Sequence, residues 1–385
     1  MLTILVTGAA GFIGQHLVEA LGRRPDVRVI CYDIGNTRAD LNHGLAEADF
    51  IFHLAGVNRP QRPEEFKTGN ADFTASICDT LSVLERNPTI VLSSSIQAEL
   101  QNPYGLSKRQ AEEALMRWAE GRKTAVSARW STDHRRAVIF RLKNVFGKWC
   151  RPNYNSVTAT FCHNTAHDLP IMISDPSHEL ELVYIDDVIT AFVGLLTQRP
   201  TAGACARLEV EKSYRISLGD LAARIRSFKE SRRSLLLPDM ADELTRKLYV
   251  TYLSYLDGPE FAYSLDQKVD SRGSLAEFLK SPAGGQIFVS RTKPGVTRGN
   301  HYHHSKTEKF LVVEGNAVIR FRHINGSEII EHRVSGQDFK VVDIPPGYAH
   351  SIENAGSGEM VCLFWSSELF DQQKPDTYYV PVLTT

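Results

Sequence analysis

The run Gly8-Ala9-Ala10-Gly11-Phe12-Ile13-Gly14 constrains this chain more than any other feature. It follows the apolar run Leu2–Val6, which reads as a strand. It opens the amphipathic stretch Phe12–Leu21, which reads as a helix. Glycines at such a junction make the tight turn, let backbone approach a pyrophosphate, and let helix pack on strand. The free N–H groups of the first helical turn then stabilise the anion. A second strand, Val27–Tyr32, follows, and Asp33 ends it 19 residues after Gly14. A carboxylate there can hold the adenosine ribose hydroxyls. The expectation is a dinucleotide site on a βαβ unit; the alternative is a purely structural glycine turn.

The pattern continues. Asp49–Leu54, Thr89–Ser93 and Ala137–Leu142 read as further strands, with helical stretches at Asn70–Arg86 and Ser107–Ala119. Alternating strands and helices predict an α/β fold of Rossmann type, a doubly wound parallel sheet covered on both faces. After about Leu235 the pattern changes. Pro238 and the polar stretch Asp239–Lys247 suggest a linker or terminal helix. Short runs follow at Gln286–Arg291, Phe310–Glu314, Ala317–His323, Glu328–Val334, Val341–Ile344 and Met360–Trp365. Asn325-Gly326 and Ser335-Gly336 are hairpin signals between them. This half is expected to be an all-β barrel or jelly roll. The domains are expected at 1–245 and 246–385.

Composition excludes several classes. The 385 residues are 42% hydrophobic and 23% charged, as in ordinary globular chains. The 44 basic and 45 acidic residues leave a net charge of −1, so no nucleic-acid footprint is present. No apolar run approaches the roughly 20 residues that span a bilayer. The first residues read as a strand rather than a leader. Six scattered cysteines, Cys31, Cys78, Cys150, Cys162, Cys205 and Cys362, form no C-x-x-C pair and read as reduced, buried thiols. A cytoplasmic protein without membrane or nucleic-acid partners is expected.

The spacing G-x-x-G-x-x-G resembles the extended short-chain dehydrogenase/reductase family. Other motifs follow in that family's order: His53-Leu54-Ala55-Gly56, Ser93-Ser94-Ser95, Tyr104-x-x-x-Lys108, Arg141-x-x-Asn144-Val145-Phe146-Gly147 and Tyr184-Ile185-Asp186-Asp187-Val188. The resemblance covers about residues 1–245. It implies that Gly8, Gly11, Phe12, Ile13, Gly14, Asp33, Leu54, Ala55 and Gly56 hold a nicotinamide cofactor, and that Arg141 and Asn144 contact substrate. Residues four apart share a helix face. An ammonium beside a phenol stabilises the phenolate, so Tyr104 can exchange a proton with a carbonyl or carbinol. Tyr104 is the expected proton donor, Lys108 its activator and ribose ligand, and Ser95 the carbonyl polariser, with Ser94 as alternate. A dehydratase would carry an acid pair after the serine; Ile96-Gln97-Ala98 has none.

The second half holds His301-x-His303-x4-Glu308 and, later, Pro346-Gly347-x2-His350. Two histidines two apart on a strand share a face. Three imidazoles and a carboxylate suit a divalent transition metal, zinc first. The segments resemble the cupin superfamily. They also resemble metal-independent dTDP-sugar 3,5-epimerases, where the residue at the His301 place is a base. His301 is therefore read as ligand, with base as the alternative.

A short-chain reductase joined to such a β domain is similar to bifunctional capsular-polysaccharide enzymes of UDP-N-acetyl-L-fucosamine synthesis. Leu54–Pro60, Asn144–Cys150, Pro152–Ser156, Lys309–Val313 and Ile319–His323 carry the likeness. It implies C3 epimerisation of a UDP-2-acetamido-2,6-dideoxy-4-hexulose in the β half. Reduction of the C4 ketone with NADPH would follow in the first half. Lys309 and Tyr348 are candidates for proton transfer in the β half. Asp33 favours NADH over NADPH, because a carboxylate repels the 2′-phosphate; Arg38 could neutralise that phosphate. The alternative is a nucleotide-sugar 4-epimerase or dehydratase with a dimerising β module. A homodimer is expected. The β-prone run Asp376–Leu383 should lie on a partner or on its own barrel.

Overall fold

The computed structural model describes residues 1–121, 135–197 and 205–383. It divides into two units, Met1–Arg226 with Lys247–Leu256, and Ser227–Arg246 with Asp257–Thr385. In the first unit β1 (Leu2–Thr7), β2 (Val27–Tyr32), β3 (Phe50–His53), β4 (Thr89–Ser95), β5 (Arg136–Leu142) and, later in the chain, Cys205–Leu208 form one six-stranded sheet. Every pairing is parallel. The central strands β1, β3, β4 and β5 are largely buried, which explains their continuous apolar runs, while the edge strands β2 and Cys205–Leu208 are half-buried to exposed.

The sheet order is β2-β1-β3-β4-β5, then Cys205–Leu208. The chain leaves β1 for one side of the sheet and returns at β3 on the other. That reversal opens a crevice at the carboxyl ends of the strands. The helices between these strands are α1 (Phe12–Gly22), α2 (Arg38–Glu47), α3 (Glu64–Phe66), α4 (Phe73–Val83) and α5 (Pro103–Glu120). Leu41, Leu45, Ile77, Leu81, Leu115 and Trp118 from α2, α4 and α5 pack on one face of the sheet. The helix expected over Asn70–Arg86 begins instead as a π-helix at Lys67–Asp72. A small sheet of β6 (Asn144–Phe146), β7 (Glu179–Tyr184) and Tyr214–Ser217 lies beside the main one. No helix among the described residues is long and apolar enough to cross a membrane.

The second unit is built from two antiparallel sheets. Following Cys205–Leu208 (β8) and Tyr214–Ser217 (β9), the strands are β10 (Gln267–Asp270), β11 (Gly273–Ser281), β12 (Gly285–Thr292), β13 (Thr297–Tyr302), β14 (Glu308–Glu314), β15 (Asn316–His323), β16 (Ile329–Ser335), β17 (Val341–Ile344), β18 (Tyr348–Asn354), β19 (Met360–Ser366) and β20 (Tyr378–Tyr379). The orders are β10-β11-β12-β19-β14-β17 and β16-β15-β18-β13-β20. Their inner faces share one core, with Phe310, Ile344 and Phe364 from one sheet and Ile319, Phe321 and Ile352 from the other. All six cysteines are free thiols, but Cys31 is exposed and Cys205 half-buried, against the expectation of uniform burial.

Candidate functional site

The carboxyl ends of β1, β3, β4 and β5 border a cavity of about 670 Å3. Gly8, Gly11, Phe12, Ile13, Gly14, Leu54 and Gly56 line it, and Ala55 packs behind Gly8. The glycine turn is closed by the Gly11 N–H donating to the Gly8 carbonyl at 3.0 Å. A Cβ on Gly14 would lie 2.0 Å from that same oxygen, so only glycine fits. The turn leaves a bare backbone cradle at the start of α1, which fits a dinucleotide.

Asp33 ties this loop to β2. Its Oδ2 accepts from the Ala10 N–H at 2.7 Å and its Oδ1 from the Ile34 N–H at 2.8 Å. Neither Asp33 nor Arg38 lines the cavity. Arg38 instead donates to the Ser76 and Thr80 hydroxyls of α4, at 3.2 and 3.1 Å.

Tyr104 and Lys108 sit on the first turns of α5. The Asn102 side chain caps that helix, and Pro103 fits its first turn. A Cβ on Gly105 would approach the Gln97 carbonyl to 2.1 Å. This glycine lets α5 pack against the turn after β4, which brings Tyr104 beside Ser95. Burial pushes the Tyr104 phenol up, and the Ser95 hydroxyl offsets part of the rise. Lys108 is buried and donates to the Ser93 carbonyl at 3.1 Å. Its Nζ lies 5.9 Å from the Tyr104 ring centre. Burial pulls the ammonium down to about 8, and the Glu112 carboxylate one turn on works against that fall. Ser94 is engaged elsewhere: its hydroxyl donates to Glu112 Oε1 at 2.5 Å. Of the two serines, Ser95 is the one beside Tyr104.

One assignment needs correction. Arg141 does not line the cavity. Its Nη2 donates to Glu112 Oε2 at 2.7 Å and its Nη1 to Glu99 at 2.9 Å. Glu112 is fully buried, so this guanidinium neutralises a core carboxylate and is not offered to a ligand. Asn144 does line the cavity. So do Trp149, Arg151 and Tyr154, to which sequence reasoning gave no role. Their signal was present in the stretches Asn144–Cys150 and Pro152–Ser156. Trp149 is held at φ +65° and its ring packs 4.4 Å from that of His16.

In the second unit His301, His303, Glu308 and His350 each offer a donor atom, all within 4.8 Å of one another. Nε2 of His303 and Nε2 of His350 both lie 3.4 Å from Glu308 Oε2. Those two buried nitrogens have no hydrogen-bond partner. Buried orphaned donors converging on one carboxylate fit a divalent metal. Burial alone would push the Glu308 carboxyl up, but the imidazoles of His303 and His350 outweigh it and hold it well below the usual range. Burial, then His350 and His303, lower His301 to about 4. β13 ends at Tyr302, so His303 stands in the loop beyond it and not on the strand with His301. Lys309 also needs correction. Next to Glu308 on β14, it points to the opposite, exposed face and pairs with Asp343. Tyr348 shares the face of His350 on β18, with its ring 5.1 Å from that of His323.

Comparison with known proteins agrees with this division. Residues 4–204 match the NAD dependent epimerase/dehydratase family, and residues 268–378 match the polysaccharide biosynthesis C-terminal domain. Fold and site thus define a nicotinamide-dependent epimerase/dehydratase-type protein extended by an antiparallel β unit. The UDP-2-acetamido-2,6-beta-L-arabino-hexul-4-ose reductase of Pseudomonas aeruginosa is 44% identical over 97% of both chains. The crystal structure of the capsular polysaccharide assembling protein CapF from Staphylococcus aureus superposes with a TM-score of 0.88 at 43% identity, covering 98% of this chain and 99% of that one. CapF with the inhibitor 3-isopropenyl-tropolone gives 0.83 at 39% identity, covering 99% and 100%. The chain belongs to the CapF family.

Proposed function

We propose that this protein is a bifunctional nucleotide-sugar enzyme of capsule or O-antigen synthesis. Its two units exchange chain between residues 226 and 257 instead of dividing at the single point expected near 245. The second, a cupin, epimerises C3 of a UDP-2-acetamido-2,6-dideoxy-4-hexulose. The first reduces the C4 ketone to UDP-2-acetamido-2,6-dideoxy-L-talose, on the route to UDP-N-acetyl-L-fucosamine. The reductase name of the Pseudomonas aeruginosa relative supports the second step. The observation that carries the reading is the joint placing of the glycine cradle, Ser95, Tyr104 and Lys108 on one cavity.

A bound nicotinamide supplies the hydride to C4. Ser95 donates a hydrogen bond to the ketone oxygen. Tyr104 donates its phenolic proton to that oxygen, and the Lys108 ammonium stabilises the phenolate left behind. The proton and hydride together give the carbinol. NADPH is the reductant the family resemblance implies. NADH is the second reading, carried by Asp33 at the end of β2, where a carboxylate repels a 2′-phosphate. Asn144 contacts the sugar.

In the cupin the C4 ketone acidifies the C3 proton, so a base on one face and an acid on the other suffice. Tyr348 is the proton-transfer residue of this reading, and Lys309 is dropped. His301, His303, Glu308 and His350 would hold zinc or a related ion. When bound, that ion supplies electrostatic stabilisation of an enolate oxygen and braces the barrel. The inhibitor in the CapF structure, 3-isopropenyl-tropolone, is an oxygen-donor chelator, which supports the metal reading without locating it. The protein is a homodimer in this proposal.

The test is proton NMR of the hexulose in D2O. C3 exchange without NADPH, and net reduction only with it, is the expected result. NADPH consumption without C3 exchange would remove the epimerase half.

A further inference from the structure

The segment Asp376–Val382 does more than end the second sheet. Tyr378 and Tyr379 pair with Tyr302 and His301 of β13. The backbone carbonyl of Asp376 accepts from Nδ1 of His303. The Asp376 carboxylate accepts from three successive backbone N–H groups in the loop after His303. The His304 N–H reaches Oδ1 at 2.9 Å; those of Ser305 and Lys306 both reach Oδ2 at 2.8 Å. The Ser305 hydroxyl adds a fourth bond at 3.1 Å. These N–H groups hold the Asp376 carboxyl well below its usual range, against the opposing effect of burial. At the far end, the Val380 N–H donates to the Asn300 carbonyl at 2.9 Å and the Val382 N–H to Asn300 Oδ1 at 3.1 Å. Asn300 sits at φ +63°, at the bulge that turns β13 into His301. Val382 is fully buried, and Arg322 donates to its carbonyl at 3.0 Å.

The chemistry of the first contact is informative. A carbonyl can only accept, so Nδ1 of His303 carries the proton. The lone pair of the neutral ring is then on Nε2, the atom that faces Glu308 at 3.4 Å. A metal-binding imidazole needs that tautomer, held by an outer partner on its other nitrogen. His350 has the same arrangement in looser form, its Nδ1 3.4 Å from the Tyr348 carbonyl.

We infer that Asp376–Val382 is a latch that positions His301 and His303 as metal donors, with Asp376 as its principal positioning residue. This rests on the metal-site reading above. The latch grips the cluster from both sides. It fixes the strand at Asn300, one residue before His301, and the loop at 304–306, directly after His303. Neither grip touches the metal position itself. Loss of the latch should therefore weaken metal binding while leaving the four donors in the chain.

The experiment uses full-length protein, with zinc content by elemental analysis and zinc affinity by competition with a chromogenic chelator. Asp376→Ala keeps the carbonyl partner of His303 but frees the loop at 304–306, and should bind zinc about 5- to 10-fold more weakly, the low end of the range for disturbed outer partners. Asp376→Asn, which keeps one acceptor oxygen, should fall between. Asn300→Gly suits the left-handed backbone and removes only the clamp on Val382; it should weaken zinc several-fold. Asp371→Ala, which is exposed and outside the latch, should bind as wild type does. Near-ultraviolet circular dichroism and a melting midpoint within about 3 °C of wild type report that the second unit of each variant has folded, and unchanged NADPH binding reports the first. If wild type binds zinc and both Asp376→Ala and Asn300→Gly match it within twofold, the latch is overturned and the metal reading stands. If pure wild type holds no metal, the metal reading itself fails and the latch falls with it.

Discussion

Lys108 sets the pH range of the proposed reduction. Tyr104 must be protonated to donate, and burial keeps its phenol up. Lys108 must be charged to stabilise the phenolate, and burial brings it down to about 8. The sign follows: the ammonium is present below that value and lost above it. The kcat/KM for ketone reduction should be flat below about pH 7 and fall roughly tenfold per pH unit above about pH 8. A profile flat to pH 10 would remove Lys108 from the chemistry. A second residue bears on the substrate. The cavity wall carries no Asp or Glu side chain among the described residues, while Arg151 lines it with its guanidinium 5.3 Å from the Tyr154 ring centre. A planar guanidinium held by an aromatic ring is suited to a diphosphate. Arg151→Met should raise KM for the nucleotide sugar about 10-fold or more, leave NADPH affinity within twofold, and spare kcat. An unchanged KM would show that the guanidinium does not meet the substrate.

At the scale of elements, one buried network binds three of them. Glu112 of α5 accepts from Ser94 of β4 and from Arg141 of β5. Its side chain is 1% exposed, so removing it strands a largely buried guanidinium with only the exposed Glu99. Glu112→Ala should cost about 3–5 kcal/mol, the range for breaking a buried ion pair. Urea midpoints followed by a first-unit probe measure it, and a cost below about 1 kcal/mol would show the network to be dispensable. The same network explains a limit of sequence reading. Arg141 lies beside a motif that suggested substrate contact, but its partner is 29 residues away and carries no local signal. The central parallel strands were legible because both faces are buried, so Leu2–Val6 and Asp49–Leu54 stand out as apolar runs. Thr297–Tyr302 has no such run. The His301-x-His303 spacing placed His301 on a strand, but the bulge at Gly299/His301 and the end of the strand at Tyr302 were not legible. The four clustered side chains His301, His303, Glu308 and His350 could be read because residue identity and spacing encode them. The contribution of Asp376 could not, because it acts partly through a backbone carbonyl any residue would possess. Lys309 was misread because strand alternation turns it away from Glu308.

At the scale of the whole molecule, the last strand of the second unit bears on oligomeric state. The run Asp376–Leu383 was expected on a partner or on its own barrel, and Tyr378–Tyr379 pair with β13 of the same chain. Dimerisation through that run is therefore not required. Light scattering at micromolar concentration should still report a dimer, and a mass near 43.1 kDa would refute it. The sharper question is whether one chain carries two chemistries. Tyr104 and the cluster around Glu308 belong to different units, each with its own core. Tyr104→Phe keeps the ring and its packing against Phe66, 5.6 Å away, and removes only the proton donor. It should reduce NADPH oxidation at least 100-fold, within the range for loss of a general acid, while C3 deuterium exchange continues at the wild-type rate. His301→Ala should do the reverse: exchange is lost, and reduction of a substrate already epimerised at C3 persists. Loss of both activities in folded Tyr104→Phe protein would mean that C3 exchange and reduction share one site, and the two-site proposal would fall.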